Sequence, residues 1–218
     1  MSGKSGPDII ENGIVLYLDA SNIRSYPGSG TTWTDLSGNS NNGTLTNGPT
    51  FSNVNQGSIV FDGVNDYVQT NLSGMGQVSL VCFFNPTISN SGLYYEGLID
   101  NDTPGQYGQG MGINNGVFET ILDNQFWTPN VSVDVGRWQM CVLSINSTTA
   151  KFYKNGILRS TLSYTQGAVT TSNYIIGKSN ANARYINGKI AICLIYNRVL
   201  SDTEVLQNYN ATKSRFGL

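Results

Sequence analysis

Clusters of Gly, Asn, Asp, Ser and Pro interrupt this chain about every 8 to 12 residues, and the stretches between them are apolar or alternate apolar with polar. That punctuation leaves little room for helices and marks an all-β sandwich or barrel. The segments 13–20 (GIVLYLDA), 57–62, 66–70, 94–100, 109–114, 116–122, 149–154, 157–163, 173–178 and 184–197 read as strands. VSLVCFFN (78–85) is almost wholly apolar, as a strand covered on both faces must be, and Pro86 ends it because proline has no N–H for a ladder. RWQMCVLSIN (137–146) is a further strand. Asn155-Gly156 predicts a two-residue hairpin, since both residues tolerate positive φ. One helix is expected at 202–212, opened by a capping box of Ser201 and Glu204, with Leu206 and Tyr209 on the face that packs against the sandwich edge. Segment 21–50 reads as a long ordered loop with short pairing around Trp33 and Leu45, and loops of that length in a compact domain are usually functional. The expected architecture is an all-β, two-sheet antiparallel jelly roll with one short C-terminal helix. Residues 1–12 form a loosely attached N-terminal arm and 13–218 one domain.

Composition narrows the partners. Charged residues make up 12% of the chain and the net charge is −2, about half the usual charged share of 25%. No Lys/Arg cluster is available for phosphates, so nucleic acid is not expected as a partner. A neutral partner, glycan or protein, fits better, and twelve tyrosines suit an interface. The chain has no histidine, which removes the commonest general base and transition-metal ligand. Cys82, Cys141 and Cys193 lie in strand-like runs with no metal-binding spacing, and are expected as buried free thiols. No apolar run approaches 18 residues, so no membrane insertion is expected, and the start MSGKSGPDIIENG has no apolar signal region.

Several stretches occur in a recognisable order: YLDASNIRSYPGSGTTWTDLSGNSNNGTL, GSIVFDGVNDYV, RWQMCVLSIN with KFYKNGIL, and YINGKIAICLIYNRVLSDTEVLQNY. Over about residues 13–212 the chain resembles the laminin G-like jelly rolls of the concanavalin A-like lectin/glucanase superfamily. The GPDI-x-x-NG start and NATKSRFG end are similar to versions of this domain carried by tailed phages. The resemblance implies two antiparallel sheets with a late Trp-containing strand in the core. It does not choose among lectins, glycanases, adhesion modules and structural modules. On this reading the chain is a non-enzymatic virion protein (capsid decoration, fibre or tail-associated), made in the host cytoplasm and placed on the particle surface. It would attach to other virion proteins, to a second copy of itself, and weakly to cell-surface glycans. A soluble lectin module is the alternative, and a glycan hydrolase the third reading.

Each reading needs particular side chains. A glycanase needs two carboxylates facing one sugar. The nearest candidates are Glu96 with Asp100 and Glu119 with Asp123, each four apart and so on one face of a regular strand. Each pair borders a turn and none extends to a third acid, so no catalytic residue is assigned. A Ca2+ ion, which laminin G-like domains often carry at a loop rim, would find Asp62, Asn65 and Asp66 in the D-G-V-N-D turn, with Asp19 or Asp35 within reach. The same residues can instead bond their own turn. Sugar or partner contact needs an exposed aromatic plane beside polar side chains. Tyr94, Tyr95, Tyr107, Phe126 and Trp127 are the candidates, with Trp127, Tyr95 and Tyr107 preferred, while Trp33 and Trp138 are expected in the core.

Overall fold

The computed structural model describes residues 7–87, 95–103, 108–123, 125–179 and 184–218. In chain order its strands are β1 (Ile14–Asp19), β2 (Thr32–Trp33), β3 (Gly43–Thr46), β4 (Thr50–Ser52), β5 (Ser58–Asp62), β6 (Tyr67–Ser73), β7 (Val78–Pro86), β8 (Glu96–Asp100) and β9 (Gln109–Asn114). They continue as β10 (Val117–Leu122), β11 (Gln125–Trp127), β12 (Gln139–Ile145), β13 (Thr149–Lys154), β14 (Ile157–Ser163), β15 (Asn173–Ile176), β16 (Lys178–Ser179), β17 (Arg184–Tyr185) and β18 (Asn187–Tyr196). The helix α1 spans Asp202–Thr212.

Two antiparallel sheets form the sandwich. The first runs β14-β13-β12-β7-β18-β5-β4, and β1 pairs with the C-terminal half of β18 beside β5. The second runs β11-β10-β9-β8-β15-β6-β3-β2. Side chains of paired residues share a face, so one row of the second sheet, Leu45, Val68, Ile176, Ile99, Met111, Thr120 and Trp127, points at the first sheet. Most of that row belongs to a single apolar core between the sheets, with Trp33 wholly buried at its edge. Cys141, Cys82 and Cys193 stand opposite one another on β12, β7 and β18, inside the same core. All three are free and unexposed, and burial holds the Cys82 and Cys141 thiols well above the ordinary range, so they act as small apolar side chains.

The outer face of the first sheet carries a second apolar cluster, including Phe83, Trp138, Met140, Tyr153 and Leu194. The helix, the N-terminal segment and the C-terminal turn that carries Phe216 cover it. The helix starts at the expected residue, with Ser201 Oγ accepting from the Glu204 amide and the Glu204 carboxylate accepting from the Ser201 amide. Its buried residues are Val205 and Asn208, and Tyr209 packs on the cluster as expected, whereas Leu206 is 43% exposed beside the Asn155-Gly156 turn. The packed face is therefore centred one residue round from Leu206. The second cover is the N-terminal segment. Residues 7–12 are docked rather than loose: the Ile10 amide donates to Asn208 Oδ1, the Tyr196 hydroxyl donates to the Ile10 carbonyl, and Ile9 and Ile10 pack on the cluster. An apolar sheet face of this size needs a cover, and Ile9-Ile10 supplies part of it.

Asn155 and Gly156 both have positive φ, 51° and 79°, as a primed hairpin turn demands. Asn155 Oδ1 also accepts from the Met140 amide and ties the turn to β12.

Candidate functional site

The outer face of the second sheet differs in kind from the first. Its central row, read across the strands, is Thr44, Gln69, Ile175, Asp100, Gly110, Ile121 and Phe126. The neighbouring row includes Gly97, Gly112 and Glu119. Gly108, Gly110 and Gly112 alternate along the chain, so the outward positions 110 and 112 of β9 are bare of side chains. Tyr95 lies in the trough they leave. A Cβ at Gly112 would come 2.7 Å from its ring, and one at Gly110 would come 2.9 Å from its hydroxyl and 3.0 Å from the Asp100 carboxyl carbon. Only glycine admits the ring this close to the sheet.

Tyr95 is 3% exposed, a departure from the exposed position expected of it, because the glycine trough takes its ring flat against the strands. The Phe126 ring, 5.8 Å away centre to centre, is the exposed member of the pair at 56%. Trp127, one residue on, points the other way and packs against the core between the sheets. Strand β11 explains this exchange: Gln125–Trp127 pairs with β10 instead of lying in a polar loop, so its side chains alternate, and Phe126 rather than Trp127 faces outward. Tyr94 and Tyr107 lie outside the described residues.

Polar groups without partners occur along the same strands. Buried side-chain atoms with no hydrogen-bond partner include the Tyr95 hydroxyl, Asp102 Oδ1 and Asn114 Oδ1, and Glu96 Oε2 on the inward side. Buried polar atoms are ordinarily paired, so such a concentration on the two strands β8 and β9 and the turns that bound them calls for a cause. Glu119, on the outer face, is held by Asn114 Nδ2 at 3.0 Å and by the Thr128 hydroxyl at 3.4 Å. The Tyr95 hydroxyl is pushed well above the ordinary tyrosine range, first by burial and then by the charges of Asp100, Asp102 and Glu119 around it. Burial also raises Asp102.

The acid pairs do not assemble. A bulge between Gly97 and Ile99 turns the strand by one residue. Glu96 then pairs with inward-facing Ile113, and Asp100 with outward-facing Gly110, so the two carboxyls sit on opposite faces. Burial lifts Glu96 to about 7. Asp123 lies beyond the end of β10 with φ 53° and accepts from the Gly167 amide, away from the strand face of Glu119.

The D-G-V-N-D turn is occupied by its own backbone. Asp62 Oδ1 accepts from the amides of Val64 and Asn65, and Asp66 Oδ2 accepts from the Asp62 amide. Asp19 is paired with Arg215, and Asp35 accepts from the amides of Tyr17, Ser37 and Asn41. Among the described residues no group of three or more His, Cys, Asp or Glu could hold a metal ion. Ca2+ takes six to eight oxygens, so the residues present do not fit one here. Metal-stripped protein should show an unchanged melting temperature in millimolar Ca2+. An ion at 100 times its dissociation constant would add about 2.7 kcal/mol, and a rise of that size would return the turn to calcium.

A second depression, of about 1430 Å³, lies across the molecule between residues 7–11, β1, the start of the 21–50 loop and the end of α1. Tyr17, Asp19, Asn22, Arg24, Gln56 and Arg215 are among its lining residues.

Two antiparallel sheets packed face to face around one apolar core define a jelly-roll sandwich. A profile of the concanavalin A-like lectin/glucanases superfamily, in its laminin G form, matches residues 61–206. The chain belongs to this family. No curated protein matches the sequence. Among solved structures, the binding domain of Paraclostridial Mosquitocidal Protein 1 superposes with a TM-score of 0.72 at 15% identity, covering 92% of this chain and 52% of that one. Domain 4 of AbnA, an extracellular arabinanase from Geobacillus stearothermophilus solved with arabinotriose, gives 0.71 at 14%, covering 90% and 98%. Trypanosoma rangeli sialidase gives 0.74 at 15%, covering 99% and 35%. The chain thus spans about half of the toxin domain, a third of the sialidase and nearly all of the arabinanase domain. At these identities the likeness is one of fold.

Proposed function

We propose that this chain is a non-catalytic binding module that holds glycans on the outer face of its second sheet. The observation that carries the reading is the exposed Phe126 ring beside Tyr95, above a glycine-lined strand and next to buried polar atoms that lack partners. Sugars are recognised by that combination of an apolar plane and convergent polar groups. The toxin domain named for binding and the arabinanase domain solved with arabinotriose support it by analogy of fold. Separation of Glu96 from Asp100 on opposite faces weighs against a facing catalytic pair. In its fuller form the module serves a tailed-phage particle, attached to other virion proteins and presented to a cell surface. The N- and C-terminal motifs and the weakly charged, asparagine-rich surface support this.

A glycan array probed with purified protein tests the reading. Wild type should bind a defined subset of glycans, and Phe126→Ala should weaken that binding by about tenfold or more, the loss of one well-placed stacking contact. Binding unaffected by Phe126→Ala would move the site elsewhere. Release of sugar from any of these glycans would favour the hydrolase reading.

A further inference from the structure

The outer-face site also constrains the chemistry of its ligand, on the reading that it binds glycans. We infer that it takes donor-rich sugars bearing hydroxyl or amino groups and rejects acidic ones. Two observations along this face point the same way. The orphaned oxygens Asp102 Oδ1 and Asn114 Oδ1 can only accept, because the amide nitrogen of Asn114 is already committed to the Glu119 carboxylate. The hydroxyl of Tyr95, a residue 3% exposed, has no partner and stands among Asp100, Asp102 and Glu119. The two orphaned oxygens need a ligand that brings hydrogens, and the Tyr95 hydroxyl can donate to or accept from its hydroxyl groups.

A uronate or sialate carboxylate brings only acceptors and a charge of the same sign as its surroundings. Like charges brought together at a desolvated contact repel strongly. The chain carries no net positive charge to compensate, for its net charge is −2 and the sequence pI about 5.0. Hydroxyl donors of a neutral sugar satisfy the acceptors directly. The ammonium of an amino sugar does the same and gains the Phe126 ring as a cation–π surface.

The test uses three tetrasaccharides, a neutral mannan, a fully deacetylated chitosan and an oligogalacturonate, titrated calorimetrically against wild type, Glu119→Gln, Asp102→Asn and Phe126→Ala. Circular dichroism confirms that each variant is folded, and either acid variant serves if the other is not. The neutral or the amino sugar should bind at least about tenfold more tightly than the uronate. Glu119→Gln or Asp102→Asn should narrow that ratio at least severalfold by strengthening the uronate. Phe126→Ala should weaken the preferred sugar. Uronate binding equal to or tighter than the others, with Phe126→Ala still lowering it, would overturn the selectivity and leave the binding face standing. Silence from all three sugars, and from the array, would overturn the glycan reading and this inference with it.

Discussion

Replacing Phe216 by alanine should destabilise the protein by about 3–5 kcal/mol, the range for truncating a buried aromatic. Phe216 is 7% exposed and closes the apolar outer face of the first sheet. Its ring stacks on Phe83 at 5.3 Å and lies 4.6 Å from Trp138. The preceding residue clamps it in place. Arg215 pairs with Asp19 at 2.7 Å and donates to the carbonyls of Asn55 and Gly57, while Trp138 Nε1 donates to Asn55 Oδ1. Both members of the Arg215–Asp19 pair are mostly buried, with side-chain exposures of 9% and 13%. Arg215→Ala would strand the Asp19 carboxylate and should also cost a few kcal/mol. The double variant should lose less than the two single losses together, since both remove one clasp. Urea unfolding measures all three. For a chain of this size each kcal/mol shifts the melting temperature by about 2–4 °C, so Phe216→Ala should melt about 10 °C early. An unchanged midpoint would mean that the C-terminal turn is not seated on the sheet.

Stability should peak on the acid side of neutrality. Burial raises Glu96 from its ordinary 4.5 to about 7. Between those values the folded chain keeps a proton that the unfolded chain releases, so stability falls as pH rises through that window. The full shift is worth about 3 kcal/mol, and Asp66 and Asp102, also raised by burial, add in the same direction. Glu204 works oppositely. The Arg198 guanidinium, with further help from Ser201 donors, lowers it to about 2. Its contribution is complete above about pH 4.5 and is lost as pH falls toward 2. Together they place the maximum near pH 5. Glu96→Gln should flatten the limb from pH 5 to 7 and stabilise the protein by up to about 3 kcal/mol at pH 8, where the buried carboxylate must otherwise be charged. A Glu96→Gln profile parallel to wild type would contradict the burial assigned to this carboxyl.

Most of the sandwich was legible because its signals are local. Turn residues punctuate every strand, Asn155-Gly156 declares its own hairpin, and the S-D-T-E box opens α1 at the residue expected. The site was less legible because it depends on register. One extra residue in β8 carries Glu96 to the inner face, and no composition of EGLID announces a bulge. Phe126 and Trp127 exchange roles through a strand too short, at three residues, to show alternation. The docking of Ile9 and Ile10 depends on an apolar sheet face built from residues more than 70 positions away. One signal was present and unread: glycines at 108, 110 and 112 alternate on a strand, and such a bared face invites an aromatic ring.

The most direct test of the binding face is a map of backbone amide shifts as the tightest glycan from the array is titrated into labelled protein. The account predicts saturable shifts at Tyr95, Gly110, Gly112, Glu119 and Phe126, with residues of the first sheet unmoved. Shifts centred instead on Tyr17, Asn22, Arg24 and Gln56, along the depression between β1 and the end of α1, would contradict it.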